Sequence, residues 1–209
     1  MSVAGVRDAH ADLLRAVLPI KIPLLRDDLN LDASRLPAPD VVLSGEAPYS
    51  VIGEKGNTYI EIGTPRLLRN LGIIDWDAGR PLFHVRYSVD TYVWALAETW
   101  ELAMAARDHL GQAVLLTYLE YPALSTAGGS SGMRVATAIT SRSGTPVSVG
   151  HRGGGSPRVW GPMVLTHEVD SFESTSLGST RPPLGTVETY DVNQTVVGPG
   201  ENFPEDQDG

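Results

Sequence analysis

One stretch, residues 81–121, sets the strongest constraint on the fold, because its hydrophobic period changes part-way along. Between Phe83 and Val93 the hydrophobic residues alternate with polar ones, which is the pattern of a β-strand with one buried face. From about Ala97 onward they follow a helical stripe, on which Arg107 is the one charged residue. The stripe consists of Trp100, Ala103, Met104, Arg107, Leu110, Val114 and Tyr118. A long strand that leads directly into a long helix predicts an α+β core.

The N-terminal part of the chain predicts one helix, one strand and one hairpin. Residues 4–18 have the pattern of an amphipathic helix that ends at Pro19 and leads into a proline-rich connector. The apolar stripe of this helix comprises Val6, Ala9, Leu13 and Val17. Residues 40–44 predict a short strand, and 49–62 predict a hairpin because turn residues separate two apolar runs.

Further elements lie on either side of the central unit. Residues 63–80 form an insert in which Pro65–Leu71 favours a helical turn that ends at a glycine. Residues 133–141 alternate as a strand, and we expect 147–149 to pair with it across a turn. The last strand is predicted chiefly over 163–169.

These elements place residues 1–172 in one α+β domain, with a mixed or antiparallel β-sheet and helices packed on one face. Glycine- and serine-rich stretches at 125–132 and 142–157 predict flexible loops within this domain. Residues 173–209 are rich in Ser, Thr, Gly, Pro and acidic residues, and they predict an extended or disordered C-terminal tail.

Charge and hydropathy limit the partners that this chain can have. Of the net charge of −9, six negative charges come from residues 171–209, which hold seven acidic residues and a single base, Arg181. This balance argues against a nucleic-acid grip, which needs clustered Lys and Arg, but it permits a surface past which nucleic acid slides. No window approaches the roughly eighteen apolar residues of a membrane span, and the N-terminus does not resemble a signal peptide.

No set of residues has the spacing of a known catalytic or metal site. The five histidines form neither an HxH nor an HExxH pattern. The run Gly150–Ser156 lacks the Lys-Ser/Thr ending of a phosphate loop, and a strand follows it instead of a helix. Cysteine is absent, which excludes a disulfide framework and a cysteine nucleophile. We therefore expect no enzymatic activity, no cofactor and no metal.

Aromatic and arginine residues are the best candidates for contacts between subunits, because the cores of protein interfaces favour Trp, Tyr and Arg. Trp94 ends the polar face of the central strand, and Trp160 stands beside Gly161-Pro162, so neither is easily buried within one subunit. Packing inside the subunit, against the insert at 63–80, is the competing interpretation. The candidate subunit-interface residues are Arg86, Tyr92, Trp94, Arg152, Trp160 and Tyr190.

In order and character, the elements resemble the tail terminator (tail completion) proteins of long-tailed, siphovirus-type bacteriophages. The resemblance covers roughly residues 4–172. It rests on the helix VRDAHADLLRAVL, the strand segment PAPDVVLSG, the strand HVRYSVDTYVWA followed by ETWELAMAARDHLGQAVLL, and the late strand MVLTHEVDSF. The insert at 63–80 and the tail at 173–209 make this chain longer than a minimal member of that family.

The resemblance implies a virion structural protein of the tail or neck that is assembled in the host cytoplasm. Such proteins form a homo-oligomeric, hexameric ring that caps the tail tube and joins it to the head-completion or connector proteins. Genome DNA passes through the channel of the ring without sequence-specific binding. In this interpretation the partners are further copies of the chain, the tail tube protein and a head-completion protein, and no membrane is involved.

Two other interpretations stay open at this point. One is another neck or tail component, such as a head–tail connector, a stopper or a tail tube subunit. The other is a small α+β enzyme or ligand-binding domain, which would need a pocket formed by His84, Arg86 and Asp90 with a second polar cluster. These three residues alternate on one face of the central strand, but a solvated sheet face explains them more simply.

Overall fold

The structure, a computed structural model, describes residues 3–45, 57–77, 80–124, 133–143, 147–149, 158–160 and 163–174. The two helices are α1 (Val3–Leu29) and α2 (Trp100–Glu120). The strands are β1 (Val41–Ser44), β2 (Thr58–Ile62), β3 (Arg66–Asp77), β4 (Arg80–Ala97), β5 (Ala123–Leu124), β6 (Met133–Ser143), β7 (Val147–Val149), β8 (Arg158–Trp160) and β9 (Met163–Ser174).

The long strand β4 organises the sheet, whose order is β1-β2-β4-β9-β6-β5. Strand β9 pairs with one edge of β4 from Leu82 to Val93. Strands β2 and β3 therefore follow one another along the opposite edge of β4. The β1–β2 pair is parallel and the other pairs are antiparallel, so the sheet is mixed.

Both helices pack on one face of this sheet, which confirms the predicted α+β fold. On β4 this face carries residues that alternate with those of the opposite face and are buried: Val85, Tyr87, Val89, Thr91, Val93 and Ala95. Helix α2 contributes Leu110, Val114 and Tyr118 to the core, as its stripe predicts. Arg107 on that stripe is only 1% exposed, and its Nη2 lies 2.6 Å from an oxygen of Asp108.

Helix α1 continues to Leu29, so the predicted end at Pro19 is wrong. Pro19 and Pro23 both lie inside the helix and are exposed. They are four residues apart, so the hydrogen bonds that they remove fall on the same solvent-facing side. The buried stripe also differs slightly from the predicted one, because the helix is rotated toward the second residue of each Leu13-Leu14 and Val17-Leu18 pair. Its buried apolar members are Val6, Ala9, Ala11, Leu14, Leu18 and Ile22.

The predicted helical turn at Pro65–Leu71 is also wrong, because β3 covers residues 66–77 and pairs with β4. The pairing has three register shifts, and Gly72, with φ of +94°, lies within the most irregular part. At this φ glycine is favoured, since other residues rarely adopt the left-handed region. These shifts break the strict alternation from which a strand is recognised.

Two other strand predictions have different outcomes. Strand β7 pairs with β8 and not, as expected, with the strand over 133–143. The last strand is confirmed and extends to Ser174. Of the predicted hairpin over 49–62, only β2 is described, and it lies parallel to β1; residues 46–56 are outside the described part. The predicted loop at 125–132, most of the loop at 142–157 and the tail beyond Ser174 also lie outside it.

Candidate functional site

The outer face of β4, opposite the helices, carries three of the six candidate interface residues. Arg86, Tyr92 and Trp94 are all half-buried on this face. Trp160 lies on β8, and its backbone pairs with that of Leu96 near the C-terminal end of β4. Arg152 and Tyr190 lie outside the described residues.

A network of charged side chains holds Arg86 in place on this face. Arg86 stands directly opposite Asp170 of β9, and its Nε and Nη2 donate to the two carboxylate oxygens at 2.8 and 3.1 Å. Its Nη1 donates to Glu168 at 3.3 Å, and Nε2 of His84 lies 2.9 Å from Oδ1 of Asp170. A bidentate arginine–carboxylate pair is both strong and directional. The network therefore locks β4 to β9 through their side chains as well as their backbones.

The pKa of Asp170 reflects this network. Partial burial alone would raise the pKa, because it disfavours the charged carboxylate. The hydrogen bonds and positive charges of Arg86 and His84 outweigh the burial, and they hold the pKa of Asp170 below its ordinary value. Asp170 is therefore a structural anion, and all three guanidinium nitrogens of Arg86 are engaged with acidic side chains.

The three residues that a ligand pocket would need are only partly brought together. His84 and Arg86 converge on Asp170, but Asp90 accepts a hydrogen bond from Thr166 at 2.6 Å. Within the described part of the chain, no group of three or more His, Cys, Asp or Glu residues has the geometry to hold a metal ion. Chemically, this face carries a network of charged side chains that are paired with one another across β4 and β9, and such a surface is suited to a contact with another protein.

The residue that follows β2, Gly63, approaches the ring of Tyr92 closely. The backbone N–H of Gly63 donates to the Asp90 carbonyl at 2.8 Å, and a Cβ at this glycine would lie 3.1 Å from Cε2 of Tyr92. Glycine therefore lets the chain cross the tyrosine ring here. Trp94 stands opposite Tyr59 of β2, so both aromatic candidates lie beside the β2 edge of β4.

On the inner face, the fold buries a polar cluster that the sequence pattern did not reveal. Nε2 of His10 on α1 lies 2.9 Å from Nε2 of His167 on β9, and both side chains are at most 1% exposed. Nδ1 of His10 lies 2.6 Å from the Val6 carbonyl, so it is the donor there. It follows that His167 donates through Nε2, and no described residue hydrogen-bonds to its Nδ1. The ring of Tyr118 packs against both histidines, and its hydroxyl lies 3.0 Å from that of Thr91.

Burial keeps both histidines neutral at ordinary pH. Burial lowers the pKa of His10 to about 4, despite the opposing effect of its bond to the Val6 carbonyl. Burial and the neighbouring His10 lower the pKa of His167 to about 3. The sequence contains a local signal for the burial of each histidine, because His10 is four residues from Val6 and His167 lies on the same strand face as Leu165 and Val169. The two rings, however, meet only because α1 packs on the sheet next to β9.

Two exposed apolar surfaces also escaped the sequence analysis. The first, here called the β3 arm, comprises Leu67, Leu68, Leu71 and Ile73 with Arg66 and Arg69. The second, here called the α1 groove, comprises Val17, Ile20, Lys21, Leu24, Glu120 and Tyr121 around a cavity of about 130 Å³. Large aliphatic residues grouped on a surface are typical of contact sites. The β3 arm could not be predicted because the register of β3 is irregular, and the α1 groove could not be predicted because α1 is longer than expected.

No protein-family model matches the sequence, and no curated protein matches it. The resemblance to tail terminators therefore rests on the order and character of the elements. Among the described residues, no helix is both long enough and apolar enough to cross a bilayer.

Proposed function

We propose that this chain is a ring-forming structural protein of a phage virion, a tail terminator that caps the tail tube and joins it to the neck. In this role it is a component of the tail or neck, and it acts by binding neighbours, without turning over a substrate. Its partners are further copies of itself, the tail tube protein and a head-completion protein. Genome DNA passes through its channel.

The observation that carries this proposal is the β3 arm. Leu67 is 60% exposed, Ile73 is 51% exposed, and Leu68 and Leu71 are each more than 40% exposed, all on one edge strand. Natural proteins normally protect an edge strand by shortening it, charging it or covering it. An edge of 12 residues with four exposed aliphatic side chains is therefore suited to being covered by another chain.

Two further features agree with a mechanical role. The α+β fold, with a sheet and helices on one face, is what the resemblance implies for a tail terminator. The paired charges of Arg86, Asp170 and Glu168 stiffen the outer face, because each arginine donor is committed to a carboxylate of the next strand. A rigid subunit with exposed contact surfaces can hold a fixed geometry in a ring.

The test is the mass of the full-length protein in solution, by native mass spectrometry and light scattering, alone and with purified tail tubes. We expect a six-fold ring, or a monomer of 22.4 kDa that closes into such a ring when tail tubes are added. Electron microscopy of tubes with bound protein should then show density at the end of the tube and not along its length.

Other results point elsewhere. A closed ring of about twelve subunits would favour a connector that docks on the portal. A strict monomer that ignores tail tubes would contradict both interpretations, and a search for ligands at the His84, Arg86 and Asp170 network would then come first.

A further inference from the structure

The β3 arm and the α1 groove differ in shape. The arm is an edge strand that pairs with β4, and its aliphatic side chains project from it into solvent. The groove lies between the C-terminal turns of α1 and the end of α2, with Ile20 69% exposed and Leu24 60% exposed at its rim. Its cavity of about 130 Å³ approaches the roughly 150 Å³ that accommodates a benzene ring in an engineered apolar site. A leucine side chain is of a size to enter it.

The lysine that lines the groove is already paired. Nζ of Lys21 is largely buried and lies 2.6 Å from Oε2 of the exposed Glu120, so this ion pair links α1 to α2 beside the apolar rim. The lysine charge is thereby neutralised within the subunit. An incoming apolar side chain would contact Ile20, Leu24 and Tyr121 and would leave no unpaired cation.

The two surfaces also differ in charge. Arg69 is exposed on the arm, whereas the exposed Arg66 already lies 3.4 Å from Oδ2 of Asp90 and is paired within the subunit. Beyond Leu24, the same side of α1 continues into Asp27 and Asp28, which are both exposed and lie three and four residues further along the helix. Arm against arm would bring arginine to arginine, and groove against groove would bring acid to acid. Arm against groove is the one combination in which the charges attract.

We propose that the β3 arm of one subunit docks in the α1 groove of the next copy of this chain, head to tail. This inference rests on the proposed function, since it supplies the contact from which the ring is built. A contact between two different surfaces of the same chain leaves one arm and one groove free in every open oligomer. It therefore continues from subunit to subunit, and it gives a closed ring if the rotation between neighbours returns to the first subunit.

The test uses two full-length variants, each defective in one surface. Leu68→Asp with Leu71→Asp disables the arm, and Ile20→Asp with Leu24→Asp disables the groove. All four residues are exposed, so folding should be retained, which circular dichroism and thermal melting would verify. Leu102→Asp is the control, because it introduces an aspartate at an exposed leucine of α2 that belongs to neither surface.

We expect each variant alone to be a 22.4 kDa monomer under conditions in which the wild type and the control form the ring. A mixture of the two variants in equal amounts should give a dimer and nothing larger, because the intact arm of one fits the intact groove of the other. An interface between identical surfaces could not be rescued by such mixing. As a second test, Arg69→Glu should weaken the ring, and adding Asp27→Lys and Asp28→Lys to the same chain should restore it.

The outcomes separate this inference from the proposed function. If the wild type forms a ring and both variants form it equally well, or if the mixture stays monomeric, the arm–groove contact is overturned and the terminator role stands. If the contact is confirmed but the ring ignores tail tubes, the terminator role falls and the contact stands. A wild type that is monomeric at every concentration, with and without tubes, contradicts both.

Discussion

At the scale of single residues, the two buried histidines link the stability of the fold to pH. In the folded protein the pKa of His10 is about 4 and that of His167 is about 3, whereas both ordinarily titrate near 6.5. Below pH 6.5 the unfolded chain therefore binds more protons than the folded one. The stabilisation is complete above pH 6.5 and is lost as the pH falls toward 4, by up to about 1.4 kcal/mol per pH unit for each histidine.

Replacing both histidines should remove this dependence. We expect the double variant His10→Leu/His167→Leu to lose most of the decline in unfolding free energy between pH 6.5 and 4, as measured by urea denaturation at several pH values. His109→Gln is the control for replacing a histidine outside the buried pair, because His109 bonds the Arg35 carbonyl. An undiminished slope in the double variant would show that other groups cause the pH dependence.

Asp170 gives a second prediction at this scale. Arg86→Gln removes the strongest influence that lowers the pKa of this carboxyl, while the burial that raises it remains. We expect the pKa of Asp170 to rise, as measured by NMR titration of its side-chain carboxyl carbon. The wild-type carboxylate stabilises the fold above its unfolded pKa and loses this effect as the pH falls toward its lower folded pKa. The variant should therefore be less stable than the wild type at neutral pH, and its free energy of unfolding should fall less steeply over that acidic range.

The matched control for this experiment is Arg142→Gln, which changes an exposed arginine on β6. This substitution should leave the pKa of Asp170 where it is. A pKa of Asp170 that does not respond to the loss of Arg86 would mean that His84 alone suffices to hold the carboxylate charged.

At the scale of elements, the two prolines inside α1 are a cost that the buried stripe offsets. A proline in a helix interior is about 3 kcal/mol less favourable than alanine, whereas Pro23 is exposed and contributes little to the core. We expect Pro23→Ala to increase the free energy of unfolding by about 1–3 kcal/mol, since part of the gain is lost to the greater freedom of the unfolded chain. Chemical denaturation would measure it. Pro39→Ala, outside the helix, should give no such gain, and a loss of stability in Pro23→Ala would contradict the argument.

The elements also show how far a sequence can predict this fold. Strand β4 and helix α2 follow strict periods of two and 3.6, and the type of both elements is predicted correctly. The strand, Arg80–Ala97, is longer at both ends than the predicted alternation from Phe83 to Val93. Helix α1 was cut short because Pro19 is a local stop signal, whereas burial of Leu18 and Ile22 is a tertiary effect. Strand β3 was missed because its register shifts erase the alternation.

The site was harder to predict than the fold for the same reason. Alternation alone places Arg86, Tyr92 and Trp94 on one face of β4. The partner of Arg86 depends on the register of β4 with β9, which puts Asp170 opposite it. The His10–His167 pair joins residues 157 positions apart, and no local pattern contains that distance.

At the scale of the whole molecule, the net charge of −9 predicts a low affinity for DNA. Affinity for a duplex comes mainly from Lys and Arg that displace counterions from phosphates, and non-specific binding is typically in the range of about 10⁻⁴ to 10⁻⁶ M. Here arginine side chains such as Arg86 and Arg107 are paired with acidic groups within the subunit. The proposed ring would have to let a genome pass without holding it, and an acidic protein suits that proposal.

We therefore expect full-length protein to bind a duplex more weakly than about 10⁻⁴ M at physiological salt, by fluorescence anisotropy, whatever the sequence of the duplex. A variant that lacks residues 175–209 removes six acidic residues and one arginine, so it is the most informative comparison. If both forms fail to bind, the described domain itself lacks an affinity for DNA. If only the shortened form binds, with an affinity that falls as salt rises, the acidic segment is what prevents binding to DNA. Tight binding by the full-length protein would contradict a passive channel.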